Sequence, residues 1–348
     1  MAVTRFCKRT YEEDLRIFQS PSARISLLLL LIFLLAFPSF GGRYLCYVLC
    51  LCGIAVIGAL GINIITGYTG LVSMGHAAFV GIGAYTAAIL SSRLGTPFWL
   101  CLLAAGVIPA VAGLIVAIPS LRLKGLYIVV TTLAFQFITE HVIYHWESLT
   151  AGDKGIQLPH ASLFGFIFDS HAKFYYVILL VAIFAGFFTK NLAMTRTGRA
   201  LIAIRDRDVS AEIIGVNLTK YKIMAFTVSS FMAGLAGALF AFLNNLISPD
   251  HFTFALSIQY LAMIIVGGMG TVLGSIIGAF FMTLLPEAIA AASGPLSSAY
   301  PLLASRIGAV STIVYGLIII FFLILEPEGL FGIWVRMKYY WKQWPFKY

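Results

Sequence analysis

The residues most able to do chemistry in this chain are seven charged side chains gathered between residues 195 and 216. They are Arg196, Arg199, Arg205, Asp206, Arg207, Asp208 and Glu212, in a chain of which only 11% of the residues are charged. An Arg or Asp at the centre of a bilayer costs about 2.5 to 3.5 kcal/mol, whereas a Leu or Ile returns only about 0.3 to 0.6 kcal/mol. The few Leu and Ile residues between these charges cannot offset them, so the segment is expected to lie in water and not across a membrane.

The apolar residues of the same segment predict a face that is buried or docked. Ile202, Val209 and Ile213 fall at near-helical spacing with small residues between them, and Gly215 is typical of a helix C-cap. This pattern indicates one or two short helices. A solvated loop whose charges only set the membrane topology is the alternative, and the pattern alone leaves both open.

Other sites of chemistry are sparse. The sequence contains no G-x-x-x-x-G-K-[ST] motif, and its five cysteines have no partner His or Cys at metal-ligand spacing. Ionisable residues in or near the apolar stretches are His76, Glu140, His141, Glu287 and Arg306. Each lies alone or near a membrane interface, which favours a structural role over a proton relay. We therefore predict no catalytic residue, no metal site and no nucleotide site on this chain.

The composition of the chain indicates the kind of fold that holds these residues. The chain is 60% hydrophobic with a mean hydropathy of +0.96, more apolar surface than a soluble globule of 348 residues can hide. The apolar runs do not alternate as membrane β-strands do, so they predict helices. Runs long enough to cross a bilayer, about 17 to 25 residues, are expected near 25–40, 44–66, 71–91, 98–119, 125–145, 174–189, 222–246, 252–267, 272–290 and 304–325. The predicted fold class is an all-α, polytopic transmembrane helical bundle of about ten spans (eight to ten).

Charge asymmetry orients this bundle. If both termini are cytoplasmic, the inner segments hold five basic residues in 1–24, two at Arg122 and Lys124, seven in 190–222 and four in the tail, which is 18 of the 23. The positive-inside rule favours this orientation, and it favours ten spans over a re-entrant eighth segment. The net charge of +9 is thus explained by topology and by attraction to anionic membrane lipid, without a nucleic-acid partner.

Two glycine-rich stretches resemble each other: GYTGLVSMGHAAFVGIGAY at 67–85 and VGGMGTVLGSIIGA at 266–279. Each follows one apolar span and opens another, which hints at an internal repeat. The candidates for lining a translocation path are Gly75, His76, Gly81, Gly268 and Gly270. Tight helix packing is the alternative, with His76 as a hydrogen-bonded core histidine.

Five motifs in order carry a family resemblance. They are GYTGLVSMGHAAFVGIGAYTAAIL (67–90), LRLKGLYIVVTTLAF (121–135), WESLTAGDKGI (146–156), TGRALIAIRDRDVSAEIIGVN (197–217) and ISPDHFTFALSIQYLAMIIVGGMGTVLGSIIGA (247–279). Together they resemble the LivM-type permease family of branched-chain amino acid ABC importers over about residues 44–335. The resemblance implies a multi-pass protein of the bacterial inner membrane, with a cytoplasmic segment 1–24, a permease domain 25–335 and a basic cytoplasmic tail 336–348.

The same resemblance implies partners. A second, LivH-like permease, two cytoplasmic ATPase subunits and a periplasmic substrate-binding protein are expected, and ATP would act only through the partner subunits. Residues 190–221 would be the segment that couples to an ATPase. Its expected coupling residues are Gly198, Arg199, Ala203, Arg205, Asp206, Ala211, Glu212 and Gly215.

The outer loop at residues 146–173 resembles the family's S-L-T-G-G-x-x-G-I element. This sequence has Ala151 where glycine is usual and Lys154 where a small or acidic residue is more common. Thr150, Asp153 and Asp250 are the candidate contacts for the binding protein, with an ordinary solvent-exposed turn as the alternative around Asp250.

The expected function is therefore a permease subunit that moves branched-chain or related amino acids into the cytoplasm. An ABC permease for another small substrate, such as urea or short-chain amides, is one alternative. An ion-gradient-driven secondary transporter and a non-transporting membrane scaffold are the other two.

Overall fold

The structure, a computed structural model, describes residues 21–40, 42–120, 125–163, 166–168, 170–299, 307–326 and 328–343. Most of the predicted N-terminal segment and the last residues of the tail lie outside these ranges. Apart from a single-turn helix at Glu147–Thr150, we number the α-helices in chain order. They are α1 Pro21–Phe40, α2 Arg43–Ile62, α3 His76–Leu94, α4 Phe98–Ser120, α5 Leu126–His145, α6 His171–Met194, α7 Arg196–Asp206, α8 Asp208–Ile213, α9 Leu218–Asn244, α10 Phe254–Gly267, α11 Val272–Ala299, α12 Ile307–Leu325 and α13 Gly329–Gln343.

The predicted class, an all-α polytopic bundle, is confirmed. Within the described ranges, eight helical segments are long and apolar enough to cross a membrane, belonging to α2 to α6 and α9 to α11. The two remaining predicted spans coincide with α1 and α12, which are apolar helices of 20 and 19 residues. The cytoplasmic location of the termini and the internal repeat stay predictions.

Two ends of the bundle can be told apart. One end holds α7 and α8 and is called the charged end here. The other holds residues 146–170 and is called the loop end. At the loop end lie four short strands, β1 Ile156–Gln157, β2 Ser162–Leu163, β3 Phe166–Ile167 and β4 Leu246–Ile247. They form two antiparallel pairs, β1 with β4 and β2 with β3. Ile156 pairs with Ile247, which ties the loop to the chain just before α10.

The short helix α10 runs the whole way between these ends. Its 14 residues give about 21 Å of helix, and a 3₁₀ turn at Pro249–Phe252 precedes it. The segment starts beside β4 at the loop end, and the turn after it reaches Arg205 of α7 at the charged end. This placement favours a full crossing over the re-entrant hairpin.

Helix α9 forms the centre of the bundle because small residues let its neighbours approach closely. A Cβ atom added to Gly237 would lie 1.9 Å from the Val80 carbonyl oxygen of α3. One added to Gly234 would lie 2.0 Å from the Ala105 carbonyl oxygen of α4. Backbone contact of this kind is how membrane helices gain dispersion energy without a hydrophobic drive between them.

Replacing one of these glycines should loosen the bundle. Gly237→Ala places a methyl group against backbone that cannot yield, so we expect a loss of about 1 to 3 kcal/mol of stability. Thermal unfolding of the purified protein in detergent should show a Tm several degrees lower.

Gly186→Ala is the matched control. A Cβ added to Gly186 of α6 would meet no atom within 4 Å, and Ala is the better helix former by about 1 kcal/mol. Its Tm should be unchanged or slightly higher. Equal Tm values for both variants would contradict the packing described for α9.

Candidate coupling site

The charged segment forms two short helices with defined caps. The side chain of Thr195 accepts a hydrogen bond from the Gly198 amide at the start of α7. After α8, Gly215 adopts φ +90°, the Gly215 amide donates to Glu212 O, and the Val216 amide donates to Ala211 O, both at 3.0 Å. This is a Schellman motif with glycine at its left-handed position. The predictions of short helices and of a C-cap at Gly215 are confirmed.

One side of these helices is fixed to the bundle. Leu201, Ile204 and Ala211 are buried, and so is Gly198. A Cβ added to Gly198 would lie 2.3 Å from the Leu192 carbonyl oxygen, so α7 turns tightly back on the end of α6. Ala203 is half-buried beside them. The segment is therefore a rigid part of the fold and not a loose loop.

The other side presents large apolar residues to solvent. Ile213 and Ile214 are 80% and 75% exposed, and Val209 and Ile202 are exposed as well. Arg199, Asp206 and Glu212 are exposed around them. An apolar patch with a charged rim, on a segment too polar to enter lipid, has the composition of a protein-docking surface.

Arg205 is also exposed, but its side chain reaches back to other parts of the chain. Its Nη1 donates a hydrogen bond of 2.8 Å to the Gly67 carbonyl oxygen. Its aliphatic stem lies against Gly70, where an added Cβ would be 3.3 Å from Cγ, and Nη1 lies 2.5 Å from the Cβ position of Gly270. Arg205 is exposed like Arg199, Asp206 and Glu212, but among the expected coupling residues it is the one that contacts both glycine-rich turns at once.

The two glycine-rich turns are joined by Asn63. This side chain is fully buried in a π-helical turn, Asn63–Tyr68, that ends α2. Its Nδ2 donates to Thr271 O at 3.3 Å, and its Oδ1 accepts from the Gly270 amide at 2.9 Å. A Cβ on Gly67 would overlap Asn63, so glycine is required there.

Asn63 was not among the residues expected from the sequence. The available signal was a lone amide within an apolar span, directly before the glycine-rich stretch at residue 67, and polar residues in such spans are seldom incidental.

The expected path residues at the start of α3 lie in helix contacts. His76 is buried, its Nε2 lies 3.0 Å from Gly58 O, and its ring meets the Tyr260 ring edge-on at 5.1 Å. A Cβ added to Gly75 would lie 2.5 Å from Thr132 O, and one added to Gly81 would lie 3.2 Å from Phe252. This placement matches the alternative of tight packing around a core histidine.

Gly268 and Gly270 form the second turn and have positive φ angles of +117° and +79°. The Cβ position of Gly268 lies 3.1 Å from Phe331 of α13 and 2.7 Å from Glu328 O. The C-terminal helix therefore packs on this turn. Both glycines serve the geometry of the turn beside Arg205.

At the loop end, Thr150 supports the loop from within. It is buried, and its hydroxyl oxygen lies 2.7 Å from Ile143 O and 2.8 Å from Trp146 O, so its one proton is donated to one of these two carbonyls or shared between them. Ala151 follows at φ +61°, a left-handed conformation that explains why glycine is usual there. Of the three candidate contacts for a binding protein, Thr150 is buried, whereas Asp153 and Asp250 are exposed.

Comparison with known proteins fits this arrangement. A family model described as "Branched-chain amino acid transport system / permease component" matches residues 44–323. The high-affinity branched-chain amino acid transport system permease protein LivM of Salmonella typhimurium is 33% identical over 288 residues, which is 76% of this chain and 68% of the relative.

LivM of Escherichia coli K12 has the same identity and coverage. A probable branched-chain amino acid transport permease protein LivH of Methanocaldococcus jannaschii is 27% identical, over 81% of this chain and 90% of the relative. No solved structure matches the chain significantly. Since the family model covers most of its length, the chain belongs to the permease components of branched-chain amino acid transport systems.

Proposed function

We propose that this chain is a membrane-spanning subunit of an ABC importer that moves branched-chain or chemically related amino acids into the cytoplasm. ATP is hydrolysed on two separate ATPase subunits, a LivH-like permease completes the membrane part, and a periplasmic binding protein delivers the substrate. The bacterial inner membrane is its location. The observation that carries this proposal is the two-sided construction of α7 and α8, apolar towards solvent and linked by Arg205 to the glycine turns.

The exposed side supplies the binding energy for a partner. Burying one Ile side chain contributes about 1.5 to 3 kcal/mol, and Ile213 and Ile214 stand next to each other. The surrounding charges, Arg199, Asp206 and Glu212, fix the orientation of the partner more than they add affinity.

The side of α7 that carries Arg205, its inner side, would transmit movement of the ATPase subunits to the membrane helices. Arg205 contacts the turn that joins α2 to α3 and the turn that joins α10 to α11. A partner that shifts α7 draws Arg205 with it and changes the spacing of those two turns. The charged end of the bundle then opens or closes according to the state of the ATPase.

Ile213→Asp tests the docking side. The change removes apolar contact and places a charge in the docked face, so the affinity for the ATPase subunits should fall by roughly 10- to 100-fold, the equivalent of one buried Ile. Co-purification of the ATPase subunits with tagged permease, together with amino acid uptake by cells, measures this.

Leu246→Asp is the control, because Leu246 is also an exposed aliphatic residue but lies at the loop end. That variant should keep its ATPase subunits. Full retention of the ATPase subunits by Ile213→Asp would overturn the docking assignment.

Arg205→Leu tests the inner side. The variant keeps an aliphatic stem but loses the charged hydrogen bond to Gly67, worth about 1.5 to 3 kcal/mol. We expect ATPase subunits still to bind and hydrolyse ATP, while uptake per ATP falls about tenfold or more. Proteoliposomes with the full complex allow both rates to be measured.

Arg205→Lys should recover part of the uptake, since it restores a cationic donor, and Arg196→Leu serves as control on an exposed residue of the same helix. If Arg205→Leu kept its normal ratio of transport to hydrolysis, Arg205 would not be a coupling residue.

One observation favours a second candidate, a gradient-driven transporter. Glu140 Oε2 in α5 is buried and has no hydrogen-bond partner within the described part of the chain, as the carboxyl group of a proton-coupled transporter would be. Under the proposed ATP-driven function, Glu140→Gln should leave ATP-dependent uptake in proteoliposomes unchanged, because the amide has the same shape. Uptake that needs a proton gradient but no ATPase, and that Glu140→Gln abolishes, would support the second candidate instead.

A further inference from the structure

A cavity of about 160 Å³ lies among α2, α10, α11 and the loop-end part of α9. Its walls are mostly apolar and combine aliphatic and aromatic side chains from separate helices. They include Leu51, Ile54 and Ala55 of α2 and Leu256, Tyr260 and Met263 of α10. Neither the candidate coupling residues nor the expected path residues line it.

The size of the cavity suits a branched aliphatic side chain. An apolar protein cavity of about 150 Å³ is known to hold a benzene molecule, which has six carbon atoms. A cavity of about 160 Å³ therefore has room for the three or four carbon atoms of a valine, leucine or isoleucine side chain with part of its backbone.

The polar groups of the cavity are few and uncharged. Among the described residues no Lys, Arg, Asp or Glu lines it, whereas His251, Gln259 and Thr283 do. The Thr283 hydroxyl is buried and lacks a hydrogen-bond partner within the described ranges. A buried polar atom without a partner is costly, so a ligand with a polar group beside its apolar part would satisfy it. A charged side chain inside the apolar part of the cavity would meet no counter-charge and would bind less favourably than an aliphatic one. The charged backbone groups of an amino acid would lie at the polar side, near Thr283, Gln259 and His251.

On the side nearest the charged end, the cavity is lined by the ring of Tyr260. This ring packs edge-on against His76. Gly58 sits directly against this ring, since a Cβ added there would lie 2.4 Å from Tyr260 Cε1. Deeper still, Asn63 and Arg205 join the glycine turns. A molecule that enters from the loop end would stop at Tyr260 as long as those turns stay closed.

We propose that this cavity binds the aliphatic side chain of the transported amino acid within the membrane, against the Tyr260 ring that His76 supports from outside the cavity. The amino acid's polar groups face Gln259 and His251. This inference rests on the proposed function and deepens it: the permease itself selects neutral, branched aliphatic substrates, whatever the binding protein selects before it.

Photo-leucine, the diazirine analogue of leucine, tests the cavity directly. The complete complex is irradiated with this probe in nanodiscs, and the labelled peptides are identified by mass spectrometry. We expect labelling in residues 51–55 and 256–263 that excess leucine prevents and excess lysine does not. Ala55→Leu adds three carbon atoms to the cavity wall and should reduce this labelling about tenfold or more, since room for a single methylene group is already worth about 10-fold or more.

Two further variants separate cavity filling from misfolding. Met263→Ala in the Ala55→Leu background returns space to the same cavity and should restore labelling. Ala36→Leu makes the same change on an exposed face of α1 and should leave labelling normal.

If wild-type complex imports leucine but these peptides stay unlabelled, or if Ala55→Leu labels as wild type does, the cavity proposal is wrong and the proposed function stands. If the complete complex with its ATPases imports no branched-chain amino acid, the proposed function fails first.

Discussion

The rest of this structure depends on one constraint at the charged end, where two membrane helices end in closely packed turns whose buried backbone groups need partners. Water does not reach these groups, so the chain itself must supply their hydrogen bonds. Asn63 pairs with the Gly270 amide and the Thr271 carbonyl, and Arg205 pairs with the Gly67 carbonyl. Because these bonds join the turns after α2 and α10 to α7, two helices that line the cavity and the charged segment meet at one polar junction.

Small residues make this junction compact and also make it able to move. Gly67 and Gly270 have no side chains to separate the two turns, so a single guanidinium reaches both. The interior of α9 uses glycine differently, to hold α3 and α4 in fixed backbone contact. The bundle thus combines a tightly packed centre with one end closed by few hydrogen bonds.

Much of the architecture follows from the sequence because insertion energies are large. Ten apolar runs and seven clustered charges leave little freedom in where the membrane lies, and Gly215 marks a helix end by a local rule. The contacts of Arg205 with the two glycine-rich turns could not be predicted in this way, because a run of charges does not show which side chain reaches back to the bundle. Thr150 was expected at the surface, but a hydroxyl can equally bond its own backbone, and here it does. Half of the residues that line the cavity lie in the motif at 247–279, but that motif does not show which of its side chains meet residues of α2.

The most direct test of the link through Arg205 is the distance between the two glycine-rich turns in different states of the transport cycle. Spin labels at Val72 and at the exposed Met269 would report it by pulsed electron paramagnetic resonance in the complete complex. We predict that the distance distribution shifts between nucleotide-free and ATP-trapped complex, and that Arg205→Leu abolishes the shift while ATP still binds. A wild-type distance that is the same in both states, or a shift that survives Arg205→Leu, would contradict the account.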